Sequence, residues 1–316
     1  MKILVTGGAG FIGSHLTEFL LNKGDTIVCL DNFNDYYDPE IKRRNIENSL
    51  KNKNYTLVEG DICDEKVVED LFRANKFDVV VHLAARAGVR PSIENPKLYQ
   101  KVNIEGTVVL LDASVRYNTR KFILASSSSV YGNNKKYPFS ESDNVDFPIS
   151  PYAATKKACE LLAYTYHDLY SISVSCLRFF TVYGPRQRPD MAIHKFANLI
   201  SRGKKIPLFG DGSTKRDYTY ITDIIDGIFR SIEMCSGYNI YNLGESKTVE
   251  LKYLISLIEK SLGKKADIEY LPMQPGDVNL TYADVSKAKK ELGYNPSVPI
   301  EKGIKLFVDW YLKNQL

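Results

Sequence analysis

A chain of 316 residues, 44% hydrophobic and 25% charged, has ordinary globular composition and length for one large domain or two modest ones, which argues against disorder. Its net charge of +4 is too small to imply nucleic acid and is compatible with an anionic small molecule. Five scattered cysteines (Cys29, Cys63, Cys159, Cys176, Cys235), mostly inside apolar runs, read as reduced thiols of a cytoplasmic protein rather than a disulfide or zinc framework.

Met1 to Leu4 runs straight into a strand, so no signal peptide is expected, and no apolar window reaches the length of a membrane span. Lys2–Thr6 suits a short buried strand. Gly7-Gly8-Ala9-Gly10-Phe11-Ile12-Gly13 follows, then a helical pattern to about Lys23 and a second apolar run, Thr26 to Leu30, that ends in Asp31. Gly8, Gly10 and Gly13 satisfy G-x-G-x-x-G between a strand and a helix, the context in which the motif has meaning. Such a turn lets backbone amides and a helix N-terminus approach a pyrophosphate, and makes Gly7, Gly10, Phe11, Ile12 and Gly13 candidates for cofactor contact. Asp31, 18 residues past Gly13, is placed to accept hydrogen bonds from an adenosine ribose and to repel a 2′-phosphate. That favours NAD over NADP; Asn32 adjoins it.

Further strands are expected at Tyr55–Val58, Asp78–Leu83, Lys121–Leu124, Ser173–Phe179 and Tyr238–Leu243. Helical patterns fall between them, at about Glu65–Ala74, Leu98–Tyr117, Tyr152–Leu169 and Asp223–Met234. This alternation implies an α/β chain built on a Rossmann-type doubly wound parallel sheet with both faces covered. Ligands of such sheets bind at the carboxyl ends of the strands. The residues there are Asp61 and Ile62, which can flank an adenine, and Leu83, Ala84 and Ala85, small enough for close approach. The run Ser126–Ser129, expected after the fifth strand, is a row of hydroxyls.

Tyr152 and Lys156 stand four apart, one turn along a helix that Ser150 and Pro151 are suited to start. A phenol beside a fixed cation ionises below its usual value of about 10 and becomes a general base for an alcohol. The spacing is common by itself; the glycine turn supplies a cofactor for it. A serine of the Ser126–Ser129 run within reach would complete a Ser–Tyr–Lys relay.

Between Arg186 and Arg216, basic residues far outnumber Asp190 and Asp211. Most read as solvated surface, but Arg188 and Arg216 lie beside Pro or Gly-rich turns, and their guanidinium forks suit a diphosphate or carboxylate. Helices near Val249–Leu262 and Ile300–Lys313 would cover a smaller C-terminal α/β lobe for substrate. The expected division is 1–180, plus about 218–245, for the cofactor domain, with 181–217 and 246–316 for the lobe. The four histidines lack metal-ligand spacing, so no metal is expected.

Three stretches together resemble the extended short-chain dehydrogenase/reductase family over essentially the whole chain. They are Thr6 to Gly13, the serine run followed by Val130-Tyr131-Gly132, and Tyr152-x-x-x-Lys156. Asp31 to Pro39, Ala84 to Arg90, Arg178 to Met191 and Met273 to Val278 look specifically like UDP-glucuronate 4-epimerases.

The resemblance implies that Ser127, Tyr152 and Lys156 are catalytic and that Asn103 is a cofactor-side asparagine. It implies that Arg216 grips the nucleotide diphosphate, that Asp277 belongs to the nucleotide pocket, and that Ser128, Thr181 and Arg188 hold a sugar carboxylate. UDP-galactose epimerases usually carry Asn where this chain has Thr181, and hexose epimerases an arginine where Gln274 stands.

The implied activity is NAD-dependent conversion of UDP-glucuronate to UDP-galacturonate through a 4-keto sugar. The implied partners are a UDP-sugar and a second copy in a homodimer joined by a two-helix face, with neither nucleic acid nor membrane. UDP-glucose 4-epimerase is the nearest rival. UDP-glucuronate decarboxylases and 4,6-dehydratases normally place acids where Ser128 and Ser129 stand. An NAD-binding regulator without activity would have little use for Ser127, Tyr152 and Lys156 together.

Overall fold

The computed structural model describes residues 1–273 and 278–314. Its twelve strands are β1 (Lys2–Thr6), β2 (Thr26–Asp31), β3 (Tyr55–Glu59), β4 (Val79–His82), β5 (Lys121–Ser127), β6 (Ser173–Phe179), β7 (Thr181–Tyr183), β8 (Ile206–Phe209), β9 (Lys215–Tyr220), β10 (Tyr238–Leu243), β11 (Thr248–Glu250) and β12 (Ile268–Leu271). Seven of them form a wholly parallel sheet in the order β10-β6-β5-β4-β1-β2-β3. The chain leaves β1 first toward β2 and later, on the other side, toward β4. That reversal of winding opens a crevice above the carboxyl end of β1.

The central strands are largely apolar because both faces are covered. Ile3, Val5, Ile27, Cys29, Val79 and Val81 point into one core, and Leu4, Val28, Leu30 and Val80 into the other. The first core continues without a break into the C-terminal part, through Tyr183, Ile224, Leu254 and Phe307. There β11, β9 and β7 make a three-stranded sheet, and β12 pairs with β8. No helix among the described residues is long and apolar enough to cross a membrane.

Two expectations need correction. The fifth strand does not stop at Leu124: it runs to Ser127, so Ser126 and Ser127 are strand residues, and only Ser128–Tyr131 turns away as a 3₁₀ helix. Cross-strand partners Arg178 and Phe179 extend the ladder, which local composition does not disclose. The continuous helix expected over Leu98–Tyr117 is broken. Pro96–Tyr99 is followed by a π-helical turn over Gln100–Glu105 and then by Gly106–Arg116. The wide turn surrounds the buried Asn103, whose amide bonds groups outside the helix.

Candidate active site

The carboxyl ends of β1, β2, β4, β5 and β6 surround a cleft of ≈ 360 Å³ that extends to Thr181 of β7. Gly7 has φ +69, and a Cβ there would stand 2.8 Å from the Ala84 nitrogen; one on Gly13 would stand 2.2 Å from the Gly7 carbonyl oxygen. The turn is therefore closed to side chains, and the helix Phe11–Asn22 starts directly at the cleft, presenting its unpaired amides there. Phe11, Ile12, Leu83, Ala84 and Ala85 line the same wall.

Asp31 ends β2 and is buried. Its Oδ2 accepts from Ala9 N at 3.1 Å and its Oδ1 from Phe33 N at 3.0 Å. Burial pushes its carboxyl up, against the opposing charge of Lys42 and those two amides. Asn32 donates from Nδ2 to Asp61 Oδ2 at 2.8 Å, while Cys63 N donates to Asp61 Oδ1. Asn32 and Ile62 line the cleft, and Asp61 braces Asn32 from beside it.

The helix Pro151–Tyr170 begins as its sequence suggests, with Ser150 Oγ accepting from Ala153 N at 3.2 Å and Pro151 in the first turn. It brings Tyr152 and Lys156 onto the wall of the same cleft. Lys156 Nζ donates to the Ala125 carbonyl at 2.6 Å. The Tyr152 ring meets Tyr99 edge-on, with centroids 6.2 Å apart. Ser127, Ser128 and Ser129 also line the cleft; the Ser127 hydroxyl accepts from Ser129 N at 3.1 Å and donates to Ser129 Oγ at 3.1 Å.

Asn103 is not part of the cleft wall. It is buried behind it, with Oδ1 accepting from Arg86 N at 2.8 Å and Nδ2 donating to Arg86 O and Thr155 Oγ1, each at 3.0 Å. It thereby ties the loop after β4 to the helix that carries Tyr152. His82 lies deeper still, between Thr6 Oγ1 (2.7 Å) and Thr107 Oγ1 (3.1 Å). Burial, followed by the charge of Lys156, lowers it to about 3, which keeps the imidazole neutral at ordinary pH.

Sequence reasoning did not connect the residues that support this wall. Glu160, one turn beyond Lys156, forms an ion pair with Arg178 of β6, both side chains 1% exposed, at 2.8 Å through Nε and again through Nη2. Ser126 Oγ donates to the same carboxylate at 2.6 Å, and Arg178 Nη1 donates to the Tyr131 hydroxyl at 3.0 Å. Glu160 and Arg178 are thus hydrogen-bonded to each other and to neighbouring hydroxyls, the condition on which such a pair can be buried.

Thr181 and Arg188 reach the cleft from the C-terminal side. The Arg188 guanidinium lies over the Tyr36 ring, 5.3 Å from its centroid, and donates from Nε and Nη2 to the two oxygens of Asp190 at 2.9 Å each. Burial opposes its charge, but Asp190, Tyr36 and Tyr152 together outweigh burial and raise its hold on the proton. Arg216 sits on β9 opposite Val249, donates from Nη1 to the Lys215 carbonyl, and is not among the residues lining this cleft. Asp277 lies outside the described residues, as does Gln274. Among the described residues there is no group of three side chains that could hold a metal.

The family model described as GDP-mannose 4,6 dehydratase matches residues 4–307. A UDP-glucuronate 4-epimerase of Thermodesulfobacterium geofontis is 46% identical over 98% of this chain and 96% of its own. Among solved structures, a UDP-glucuronic acid 4-epimerase of Bacillus cereus, in complex with UDP-glucuronic acid and NAD, superposes with a TM-score of 0.94 at 38% identity over 99% of each chain. A UDP-glucose 4-epimerase of Thermotoga maritima with UDP-glucose superposes at 0.92 and 34% identity over the full length of both.

Proposed function

The chain belongs to the extended short-chain dehydrogenase/reductase family, and we propose that it interconverts UDP-glucuronate and UDP-galacturonate by NAD-dependent epimerisation at C4. The observation that carries this reading is the composition of one cleft. The glycine turn, Tyr152 with Lys156, and the serine hydroxyls line it together with Thr181 and Arg188, groups that suit a carboxylate.

The cleft fits the cofactor. Gly7 and Gly13 let the turn fold tightly against main-chain atoms where a Cβ could not fit, so that it lines the cleft with backbone alone, and Asp31 keeps lone pairs for ribose hydroxyls beyond the two amides it binds. NAD⁺, when bound, takes a hydride from C4 and returns it. Tyr152 removes the C4 hydroxyl proton and later restores it. Lys156, held by the Ala125 carbonyl, steadies the phenolate, and Ser127 orients the reacting oxygen. The keto sugar turns about its diphosphate between the two transfers, so its other face receives the hydride.

A 4-keto uronate is a β-keto acid. If the C5–C6 bond stands perpendicular to the carbonyl plane, its electron pair passes into the C4 carbonyl and CO₂ departs. Ser128, Thr181 and Arg188 keep that bond near the plane, where overlap is poor. Serines at 128 and 129 also leave out the carboxylates on which decarboxylases and dehydratases rely.

In the domain division that accompanies this reading, 1–180 and about 218–245 serve the cofactor, and 181–217 with 246–316 serve the sugar nucleotide. Arg216 and Asp277 belong to the nucleotide end, and Asn103 supports the cofactor side. A cytoplasmic homodimer completes the proposal, supported by five free cysteines and by Leu161 and Tyr164, exposed on the helix Pro151–Tyr170. Purified protein given UDP-glucuronate and, separately, UDP-glucose, with products read by NMR and CO₂ monitored, tests the function. Turnover of UDP-glucose alone would establish the rival instead.

A further inference from the structure

Arg188 does not stand in the cleft as a solitary cation. It is shown by a segment fastened at several points. Arg186 Nη2 donates to Glu18 Oε1 at 2.8 Å, Gln187 Nε2 donates to the Val182 carbonyl at 3.1 Å, and His194 Nδ1 lies 2.5 Å from the Gln187 carbonyl. From this support the guanidinium is taken side-on by Asp190, through Nε and Nη2, and covered by the Tyr36 ring. The Tyr36 hydroxyl lies 3.4 Å from Asp190 Oδ2, so the two holding groups also meet each other.

Tyr36 comes from the opposite half of the molecule, in the loop after β2. Its amide donates to Asn34 Oδ1 at 3.2 Å, Asn34 is bound in turn to Asn32 Oδ1, and Asn32 is fixed by Asp61. The clamp thus spans the cleft, from the β2 end to the segment after β7.

We propose that Asp190 and Tyr36 are positioning residues that fix the direction of the Arg188 guanidinium, and so set the partition between epimerisation and loss of CO₂. The inference rests on the functional reading above and deepens it. Asp190 engages Nε and Nη2 and leaves the Nη1 edge for the sugar carboxylate, which then shares one guanidinium with a protein carboxylate. A bidentate pair fixes angle as well as distance. The angle matters here because only orientation about C5–C6 separates the protected ketone from the one that decarboxylates.

Sharing also weakens the pull on the sugar, since one negative charge already faces the guanidinium. Taking away the Asp190 charge therefore has two opposite effects. The substrate carboxylate is attracted at least as strongly, but to a guanidinium that can now swivel.

Asp190→Asn is expected to raise the ratio of CO₂ to UDP-galacturonate about tenfold, with KM for UDP-glucuronate unchanged or lower, a split that general damage to the site would not give. Asp190→Glu is expected to restore the ratio, and Tyr36→Phe, which keeps the ring and loses the hydroxyl, to raise it by a smaller factor. An Asp190→Asn enzyme with the wild-type CO₂ ratio, or one whose KM rises as its kcat falls without extra CO₂, overturns the inference while leaving the epimerase reading intact. A wild-type protein inert toward UDP-glucuronate overturns both.

Discussion

Lys156 Nζ is anchored 2.6 Å from the carbonyl oxygen of Ala125, two residues before Ser127 on β5. The ammonium therefore spends one of its three donors on the strand that ends at the serines, in a residue that lines the cleft. Strand and helix are locked at the point where the chemistry is placed. Replacement by Met removes the cation and leaves the Ala125 carbonyl unpaired. We expect kcat for UDP-glucuronate to fall by at least about 10²-fold, the usual weight of one acid–base participant. Lys156→Arg should not rescue it, because a planar fork cannot take the place of a point donor in so enclosed a site. Steady-state rates at saturating NAD⁺ decide this.

Tyr152→Phe tests the proton carrier alone. The phenyl ring retains its edge-on contact with Tyr99, so melting temperature and NAD⁺ binding should stay near wild type while kcat drops by roughly 10³. An active, normally folded Tyr152→Phe protein would require another base.

A Gly13→Ala change puts a methyl group 2.2 Å from the Gly7 carbonyl oxygen and 2.7 Å from the Gly8 Cα, both main-chain atoms that cannot step aside cheaply. The turn must open, so we expect NAD⁺ affinity, followed by quenching of protein fluorescence, to weaken by well over about tenfold. Gly263→Ala, where nothing lies within 4 Å but φ is +66, offers a contrast: a stability cost near 1 kcal/mol and intact cofactor binding.

What could be read from the chain follows from how far apart the interacting residues are. The glycine turn, Asp31 and the Tyr152–Lys156 spacing are local patterns, and the fold brings all of them to one cleft. The seven-stranded sheet was legible because buried parallel strands are continuous apolar runs. The strands β7, β8, β9, β11 and β12 were not, because none is a continuous apolar run: β9 reads KRDYTY, β11 is three residues with a terminal Glu250, and Pro207 stands inside β8. Arg188 and Arg216 look alike in sequence, yet only Arg188 is among the residues lining the cleft. Asn103 bonds Arg86, 17 residues back, and Thr155, 52 ahead. Asp190 stood two residues from Arg188 and counted only as a charge, since pairing depends on side-chain direction.

Behind the serines, the Glu160–Arg178 pair makes a prediction about stability. With both side chains 1% exposed, Glu160→Gln leaves a guanidinium buried without its counter-charge, which should cost about 3–5 kcal/mol. Replacing both partners, with Glu160→Leu and Arg178→Met, should recover much of that loss, because the desolvation of two ions disappears together. Denaturant titration of the two single variants and the double variant measures the coupling. Simple additivity would mean that the pair is not an energetic unit.

Glu245 and Asp217 yield a pH dependence. Asp217 is pushed up to about 6 by burial, although it accepts from the amides of Glu245, Ser246 and Ala283 and from the Thr219 hydroxyl. Glu245 is pushed up to about 7, first by burial and then by the charge of Asp223, with Lys247 opposing at 4.0 Å. Its Oε2 is buried without a hydrogen-bond partner among the described residues.

A carboxyl whose folded pKa lies above its unfolded value holds more protons folded than unfolded, so stability falls as pH rises between the two values. For Glu245 that window runs from the ordinary 4.5 to about 7. The contribution is present in full below the window and lost above it. Glu245→Gln removes the titration and keeps the shape. It should therefore be more stable than wild type at pH 8, by on the order of 2 kcal/mol, and should lose that advantage by pH 4.5. Asp217→Asn should behave differently. It takes away an acceptor that serves three amides, and is expected to destabilise at every pH. Unfolding free energies for the three proteins at pH 4.5, 6 and 8 separate these cases, and a Glu245→Gln curve parallel to wild type would mean that Glu245 titrates normally.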